Sequence, residues 1–221
     1  MSEPSTLLFD LDGTLLHTLP DIRATLNHVR QTLSLPGLDD ASVRACVGGS
    51  LELLLERAMS DQPEGSTPPV SELVPVYQAY NAIHIVDASH LYDGVEHGLE
   101  HLKALGHPMA MVTNKPTAPT AVVVSHFGLD RFFEVVICGD TMPHSKPHPE
   151  PVLEACRRLD RAPNTTIMIG DSPSDLIAGR KAGCQQALGV TWGYRSAAQL
   201  AQCPNDGLFD SFSGVVAYVS R

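Results

Sequence analysis

No stretch of the chain approaches the roughly 18 consecutive apolar residues that a membrane-crossing helix requires, although apolar residues make up 43% of its 221. The segment Met1–Thr6 has no basic residue, and only Leu7-Leu8-Phe9 follow before an aspartate. That run is too short for a secretory leader, so none is expected. A cysteine framework is missing too. Five cysteines, at 46, 138, 156, 184 and 203, are an odd number and none shows CxxC spacing. Neither a disulfide framework nor a zinc site is therefore expected, and buried thiols in a reducing, cytoplasmic compartment are. Positive charge is scarce. Fifteen Lys and Arg stand against 25 Asp and Glu, a net charge of −10, and residues 15–90 contain no lysine. Such a chain has no basic stripe to displace counterions, so nucleic acid is excluded as the main partner. An acidic chain that binds an anion must reverse its own field locally, and a bound divalent cation does that most simply.

What is there divides into two patterns. From 92 onwards strands and helices alternate: helix 94–105, strand 108–113, helix 117–127, strand 134–138, helix 149–158, strand 165–170, helix 174–182 and strand 185–190. Near-continuous apolar strands between helices predict a parallel sheet covered on both faces. Leu7-Leu8-Phe9 reads as one more buried strand. Between them the spacing of Ile22, Leu26, Val29 and Leu33 predicts a helix over 20–35. Asp40 or Ser42 caps a further short helix, and helices follow over 51–59 and 71–85, with no strand between 15 and 90. The expected architecture is α/β: a doubly wound, Rossmann-like parallel sheet formed by residues 1–16 and 92–221, with an all-helical cap inserted over 17–91.

Ligands of such sheets bind beyond the carboxyl ends of the strands, and there the chemistry-bearing residues fall. Strand 7–9 ends in Asp10-Leu11-Asp12-Gly13-Thr14: one carboxylate to attack phosphorus, a second to move a proton, and a glycine whose N–H can approach phosphate oxygens. Strand 108–113 ends in Thr113-Asn114-Lys115, with a hydroxyl for a phosphate oxygen. Lys146 lies in a loop stiffened by Pro147 and Pro149 and can hold phosphate and nucleophile together. Strand 165–170 ends in Asp171, with Asp175 four residues on, and carboxylates are the ligands Mg2+ selects. Each group alone reads as a turn, a cap or a surface residue. Four successive strands ending this way do not.

These motifs, DLDGT at 10–14, VTNK at 112–115, SKPHPEP at 145–151 and GDSPSD at 170–175, resemble the haloacid dehalogenase-like hydrolase superfamily over nearly the whole chain. YDGV at 92–95, KPHPEP and WGYR at 192–195 are similar to its phosphoglycolate phosphatase branch. The resemblance implies Asp10 as nucleophile and metal ligand, and Asp12 as general acid and base whose main-chain carbonyl touches Mg2+. It further implies Asp171 as metal ligand with Asp175 in support, Thr113 and Lys146 on the phosphoryl group, and a mobile cap. Gly13, Thr14, Asn114 and Lys115 are expected at the substrate. So are Arg44, Gly48 and Gly49 of the loop 44–50, with Arg23 and Arg57 as further cations for a carboxylate. The family often carries an acidic residue where His17 stands, so the hinge is expected to differ. Asp12 argues against a dehalogenase, and the lysine-free stretch against a phosphonatase. The leading expectation is a phosphatase acting on a small phosphorylated metabolite such as phosphoglycolate. A phosphosugar phosphatase, phosphomutase, pyrophosphatase or nucleotidase on the same fold stays open, as does a non-catalytic phospho-ligand-binding protein. The oligomeric state is not legible in the sequence.

Overall fold

A computed structural model of the chain describes residues 4–221. The first three residues, part of the N-terminal segment and of the stretch 1–16 above, lie outside the described residues. In chain order the elements are β1 (Thr6–Phe9), β2 (Leu16–His17), α1 (Leu19–Thr32), α2 (Asp40–Cys46), α3 (Leu51–Ala58), α4 (Val70–His84), β3 (His90–Leu91), α5 (Val95–Ala104), β4 (Met109–Val112), α6 (Thr117–His126), β5 (Val135–Ile137), α7 (Glu150–Arg158), β6 (Thr166–Gly170), α8 (Pro173–Ala182), β7 (Gln186–Val190), α9 (Ala197–Leu200), β8 (Gly207–Phe209) and α10 (Phe212–Val219).

Successive side chains of a strand point to opposite faces, and the central strands use both. Leu7, Phe9, Met109, Met111, Ile167 and Ile169 enter one apolar cluster with Val95 and Leu99 of α5 and Phe212 and Val215 of α10. Leu8, Ala110, Val112 and Met168 enter a second with Val152 and Ala155 of α7 and Ala178 of α8. Helices therefore cover both faces, and the strands need no polar side. The sheet order is β5-β4-β1-β6-β7-β8, all parallel, with Leu7 opposite Met109 on one flank and Ile167 on the other. The chain steps outward from β1 to β4 and β5, then returns to lay β6 on the far side of β1. That reversal opens a crevice at the carboxyl ends of β1, β4 and β6.

Helices α1–α4 form the insertion. A short antiparallel ribbon joins it to the sheet, with Leu16 opposite Leu91 and His17 opposite His90. The sequence shows no sign of this ribbon, because two residues per strand carry no period. The insertion has its own apolar cluster, including Leu26, Val29, Val43, Leu55 and Leu73, and Tyr194 from the β7–α9 loop joins it. Arg30 on α1 is fully buried. Its guanidinium donates to Pro36 O at 2.6 Å, Ala58 O at 2.5 Å and the Asp61 carboxylate at 2.7 and 2.8 Å, pinning α1 to the end of α3. The cap of α2 is Asp39, which accepts from Ser42 N–H, rather than Asp40 or Ser42. Beyond β7, α9, β8 and α10 form from a stretch in which the sequence reading placed no elements. Among the described residues no helix is long and apolar enough to cross a membrane, and the five cysteines are unpaired.

Candidate active site

The crevice gathers its charged groups around Lys146. The Asp10 N–H bonds Ile169 O at 3.0 Å, which fixes the first residue beyond β1. Lys146 is 2% exposed, and its ammonium donates to Asp10 Oδ1 at 2.8 Å, Asp175 Oδ1 at 2.6 Å and Val112 O at 2.5 Å. The Lys146–Pro147 peptide is cis. Asn114 holds this loop from both sides: its amide donates to Lys146 O at 2.8 Å and accepts from Lys146 N at 3.0 Å. Expected at the substrate, Asn114 lines the cavity but spends its amide on positioning Lys146. Thr113 is buried at the end of β4, and its hydroxyl oxygen accepts from Lys115 N–H at 3.1 Å.

Asp10, Asp171 and Asp175 each bring a carboxylate oxygen within 4.8 Å of the others. Asp175 is fully committed. Lys146 takes one oxygen, while Ser172 N and Oγ take the other at 3.0 and 2.6 Å in a capping box that starts α8. Asp171 Oδ2 accepts the Tyr194 N–H at 2.7 Å. Asp10 Oδ2 and Asp171 Oδ1 accept no hydrogen bond from the described residues. The carboxylate of Asp12 stands outside this cluster. Lys115 Nζ contacts its two oxygens at 3.1 and 3.2 Å, and Thr18 Oγ1 donates to it at 2.7 Å.

Four carboxylates thus face two ammonium groups and one guanidinium, that of Arg195, which leaves negative charge in excess in a largely buried site. The imbalance shows in the protonation equilibria. Burial, then the Asp175 charge, pushes Asp10 up to about 7 against the pull of Lys146. Burial, Asp10 and Asp175 push Asp171 well above the carboxylate range. Burial works against the Lys146 ammonium, but the two carboxylates outweigh it and its pKa is raised. A divalent cation would balance this excess, and carboxylate oxygens are the donors that Mg2+ takes. The residues fit such an ion.

Packing explains the glycine of the DLDGT turn. Gly13 has φ +89°, and a Cβ there would stand 2.3 Å from Asp171 Oδ2, so only glycine lets the turn lie against that carboxylate. Neither Gly13 nor Thr14 lines the cavity. Thr14 is fully buried, with its hydroxyl unpartnered and its carbonyl accepting Trp192 Nε1–H at 3.0 Å. The Gly13 N–H, expected at phosphate oxygens, is spent on Leu16 O at 2.8 Å, and the Thr14 side chain is shut off from the cavity, so the expectation that these two residues meet substrate is corrected.

Between the strand ends and the insertion lies a cavity of about 530 Å³, reached by Asp10, Asp12, Thr113, Lys115, Lys146 and Asp171 on one side and Gly48, Gly49, Leu54 and Tyr77 on the other. Arg44 does not line it. Its side chain is exposed and only its carbonyl is used, by Arg195. Arg23 is paired with Asp40, and Arg57 donates to Cys46 O and Gly48 O. The arginine on the cavity wall is Arg195, whose guanidinium donates to Arg44 O at 2.7 Å and Val47 O at 2.5 Å. Its neighbour Tyr194 exchanges a 2.8 Å hydrogen bond with the Thr18 hydroxyl and accepts Thr18 N–H at 3.0 Å. Thr18, Tyr194 and Arg195 were missed as site residues. The WGYR run was a signal for two of them, but it carried no role. At the stem, burial, His90 and Arg44 hold His17 below its ordinary pKa, so it is a neutral imidazole at pH 7.

The model of the haloacid dehalogenase-like hydrolase family matches residues 7–188. The chain belongs to that family. Two curated relatives are phosphoglycolate phosphatases. That of Nitrosococcus oceani is 36% identical, with 100% of this chain and 99% of the relative covered. That of Haemophilus influenzae is 33% identical, with 95% of each covered. The crystal structure of a predicted phosphoglycolate phosphatase from Haemophilus somnus superposes with a TM-score of 0.90 at 30% identity and covers 99% of each chain. This haloacid dehalogenase-like hydrolase therefore stands in the phosphoglycolate phosphatase-like branch, among enzymes that hydrolyse phosphoric monoesters. The stretch matched by the family model contains Asp10, Asp12, Thr113, Lys146, Asp171 and Asp175 and ends before Tyr194 and Arg195.

Proposed function

We propose that this hydrolase is a Mg2+-dependent phosphatase that uses Asp10 as its nucleophile and acts on a small phosphate monoester bearing a carboxylate, phosphoglycolate being the first candidate. One observation carries the reading: Asp10, at the end of the central strand, has one oxygen fixed by Lys146 and the other unbonded at the cavity. A carboxylate held this way is a pre-oriented nucleophile. Asp10 Oδ2 attacks phosphorus as the ester P–O bond breaks, and Asp12 gives the leaving oxygen a proton. Water then attacks the aspartyl phosphate, passes its proton to Asp12, and frees phosphate and Asp10. Thr18 and Lys115 aim the Asp12 carboxyl group. The Thr113 hydroxyl meets a phosphoryl oxygen, and Lys146, whose three N–H groups are spent on Asp10, Asp175 and Val112 O, acts on the phosphoryl group through its charge. Asp10 and Asp171, with the Asp12 main-chain carbonyl and Asp175 behind them, would hold Mg2+, which supplies the positive charge the site lacks.

The carboxylate half of the reading rests on Arg195. Two insertion carbonyls and, at 3.5 Å, Tyr194 O fix its guanidinium on the cavity wall, and two of its five N–H donors remain for a ligand. The names of the relatives favour the same substrate. We place the enzyme in the cytoplasm on its five unpaired thiols, and residues 17–91 act as the cap that closes the site. A phosphometabolite panel ranked by kcat/KM, with Mg2+ and with EDTA, tests the proposal. Phosphoglycolate should lead, EDTA should abolish turnover and Asp10→Asn should be inactive but folded. Full turnover by that variant removes the proposed nucleophile.

A further inference from the structure

The loop that carries Lys146 also carries metal-binding side-chain types on its outer side. His144 and His148 flank Lys146, two residues away on either side, and Glu150 opens α7. His144 Nδ1 lies 2.8 Å from Glu150 Oε2, and His148 Nδ1 lies 3.9 Å from that same oxygen. The imidazoles stack with centroids 4.3 Å apart and planes at 25°. One donor atom from each of the three residues falls within 4.8 Å of the other two.

We infer that His144, His148 and Glu150 form a second metal site, for a divalent first-row transition ion such as Zn2+. Two imidazoles and a carboxylate are a donor set that zinc takes, whereas Mg2+ selects oxygen ligands. The two sites therefore sort ions by chemistry, the all-carboxylate cluster at Asp10 holding the hard ion and the imidazole pair the softer one. Pre-organisation favours binding. Pro147 and Pro149 fix φ on both sides of His148, and the Asn114 amide holds the main chain at Lys146. Zinc bonds of roughly 2.0–2.1 Å in a tetrahedron bring donors to about 3.3 Å apart. Side-chain rotation can supply that contraction, because the His144 and His148 side chains are 61% and 48% exposed. The exposed fourth position is left to water. Ordinary helix-end hydrogen bonds hold both rings, since Glu150 Oε2 meets His144 Nδ1 at 2.8 Å and the Glu150 N–H donates to His148 Nδ1 at 3.3 Å; the site rests on the three donor atoms that these bonds bring within reach of one ion. The histidines bracket Lys146, so an ion here ties the main chain on both sides of the residue that holds the nucleophile.

Calorimetric titration of Zn2+ into the full chain, in saturating Mg2+ and without substrate, tests the site. Wild type should bind a single ion in this site. His144→Ala should weaken that binding by at least about tenfold, since losing even an outer-shell partner of a metal ligand costs 10–100-fold. The variant changes an exposed residue outside the catalytic groups and should keep Mg2+-dependent turnover, which shows that it is folded. Asp171→Asn, which disables the carboxylate cluster, should leave the zinc isotherm intact. Binding unchanged in His144→Ala but lost in Asp171→Asn would overturn the inference, as would no zinc binding by wild type.

Discussion

Replacing Arg195 with alanine separates a residue that reads the substrate from one that only holds a loop. The guanidinium donates to Arg44 O, Val47 O and, at 3.5 Å, Tyr194 O, and Arg195 lines the cavity. Removing one partner of a desolvated charge-assisted contact costs about 2–5 kcal/mol. Arg195 is half-buried, so water screens part of its charge and the lower end, about 2 kcal/mol, applies. At about 1.4 kcal/mol per tenfold, kcat/KM for phosphoglycolate should fall roughly thirtyfold on that account, mostly through KM. The loop-holding bonds act on every substrate alike: two of them at about 1 kcal/mol net each set an upper bound of roughly thirtyfold on the loss for p-nitrophenyl phosphate, and the lost carboxylate contact should add its own roughly thirtyfold for phosphoglycolate alone. Steady-state kinetics on both substrates in Mg2+ gives the two numbers directly. An equal fall on both would refute carboxylate recognition by Arg195 and leave it a strap for the loop 44–50. No fall on either would remove both roles.

Asp12→Asn should depress kcat for alkyl phosphates far more than for aryl phosphates, because it deprives the leaving oxygen of its proton donor; equal losses would sink that role. The metal-free enzyme should show an Asp10-dependent loss of stability with pH. The native pKa of about 7 lies above the usual 3.8, so the native state holds a proton the unfolded chain releases. The associated stability is present below pH 4, declines through pH 4–7 and is gone above, by at most roughly 4 kcal/mol. In EDTA, Asp10→Asn should accordingly be more stable than wild type at pH 8, and Mg2+ should narrow the gap; denaturant titrations showing wild type the more stable would contradict this. Arg30→Ala strips a partner from the buried Ala58 carbonyl and from the exposed Pro36 carbonyl and Asp61 carboxylate, and leaves a void. A cost of about 3 kcal/mol should lower Tm by roughly 6–12 °C, and a shift under 2 °C would show that Arg30 is not the pin of the insertion.

The sheet was legible in the sequence because its strands are unbroken apolar runs that end in chemistry, and no other element offered them an alternative pairing. Helix ends came within a few residues for the same reason: Pro173 and Gly183 punctuate α8 in the sequence as in space. The division of labour among the acids came from the resemblance and was not legible in spacing. Asp12 and Asp175 both lie a few residues beyond a strand end. Which of them joins the carboxylate cluster depends on Lys115 drawing Asp12 away and Lys146 drawing Asp175 in, and those lysines arrive from distant loops. The cavity arginine failed in the same manner. The glycines at 48 and 49 marked the right loop, but the direction of Arg44 on α2 is a property of packing, and the guanidinium that reaches the loop belongs to Arg195, 151 residues later in the chain.

Tyr194 sets a limit on how this enzyme's parts can be exchanged. Its ring completes the apolar interior of the insertion, its hydroxyl grips the first turn beyond the stem, and its N–H secures Asp171. A helical insertion transplanted from a relative would have to accept that foreign ring as part of its own interior, or leave a hole beside the Asp171 carboxylate. Recombination at the β2–β3 ribbon is therefore not a neutral cut. Compatible chimaeras should be those that carry the 192–195 segment along with residues 17–91, so that two stretches remote in sequence are inherited as one functional unit.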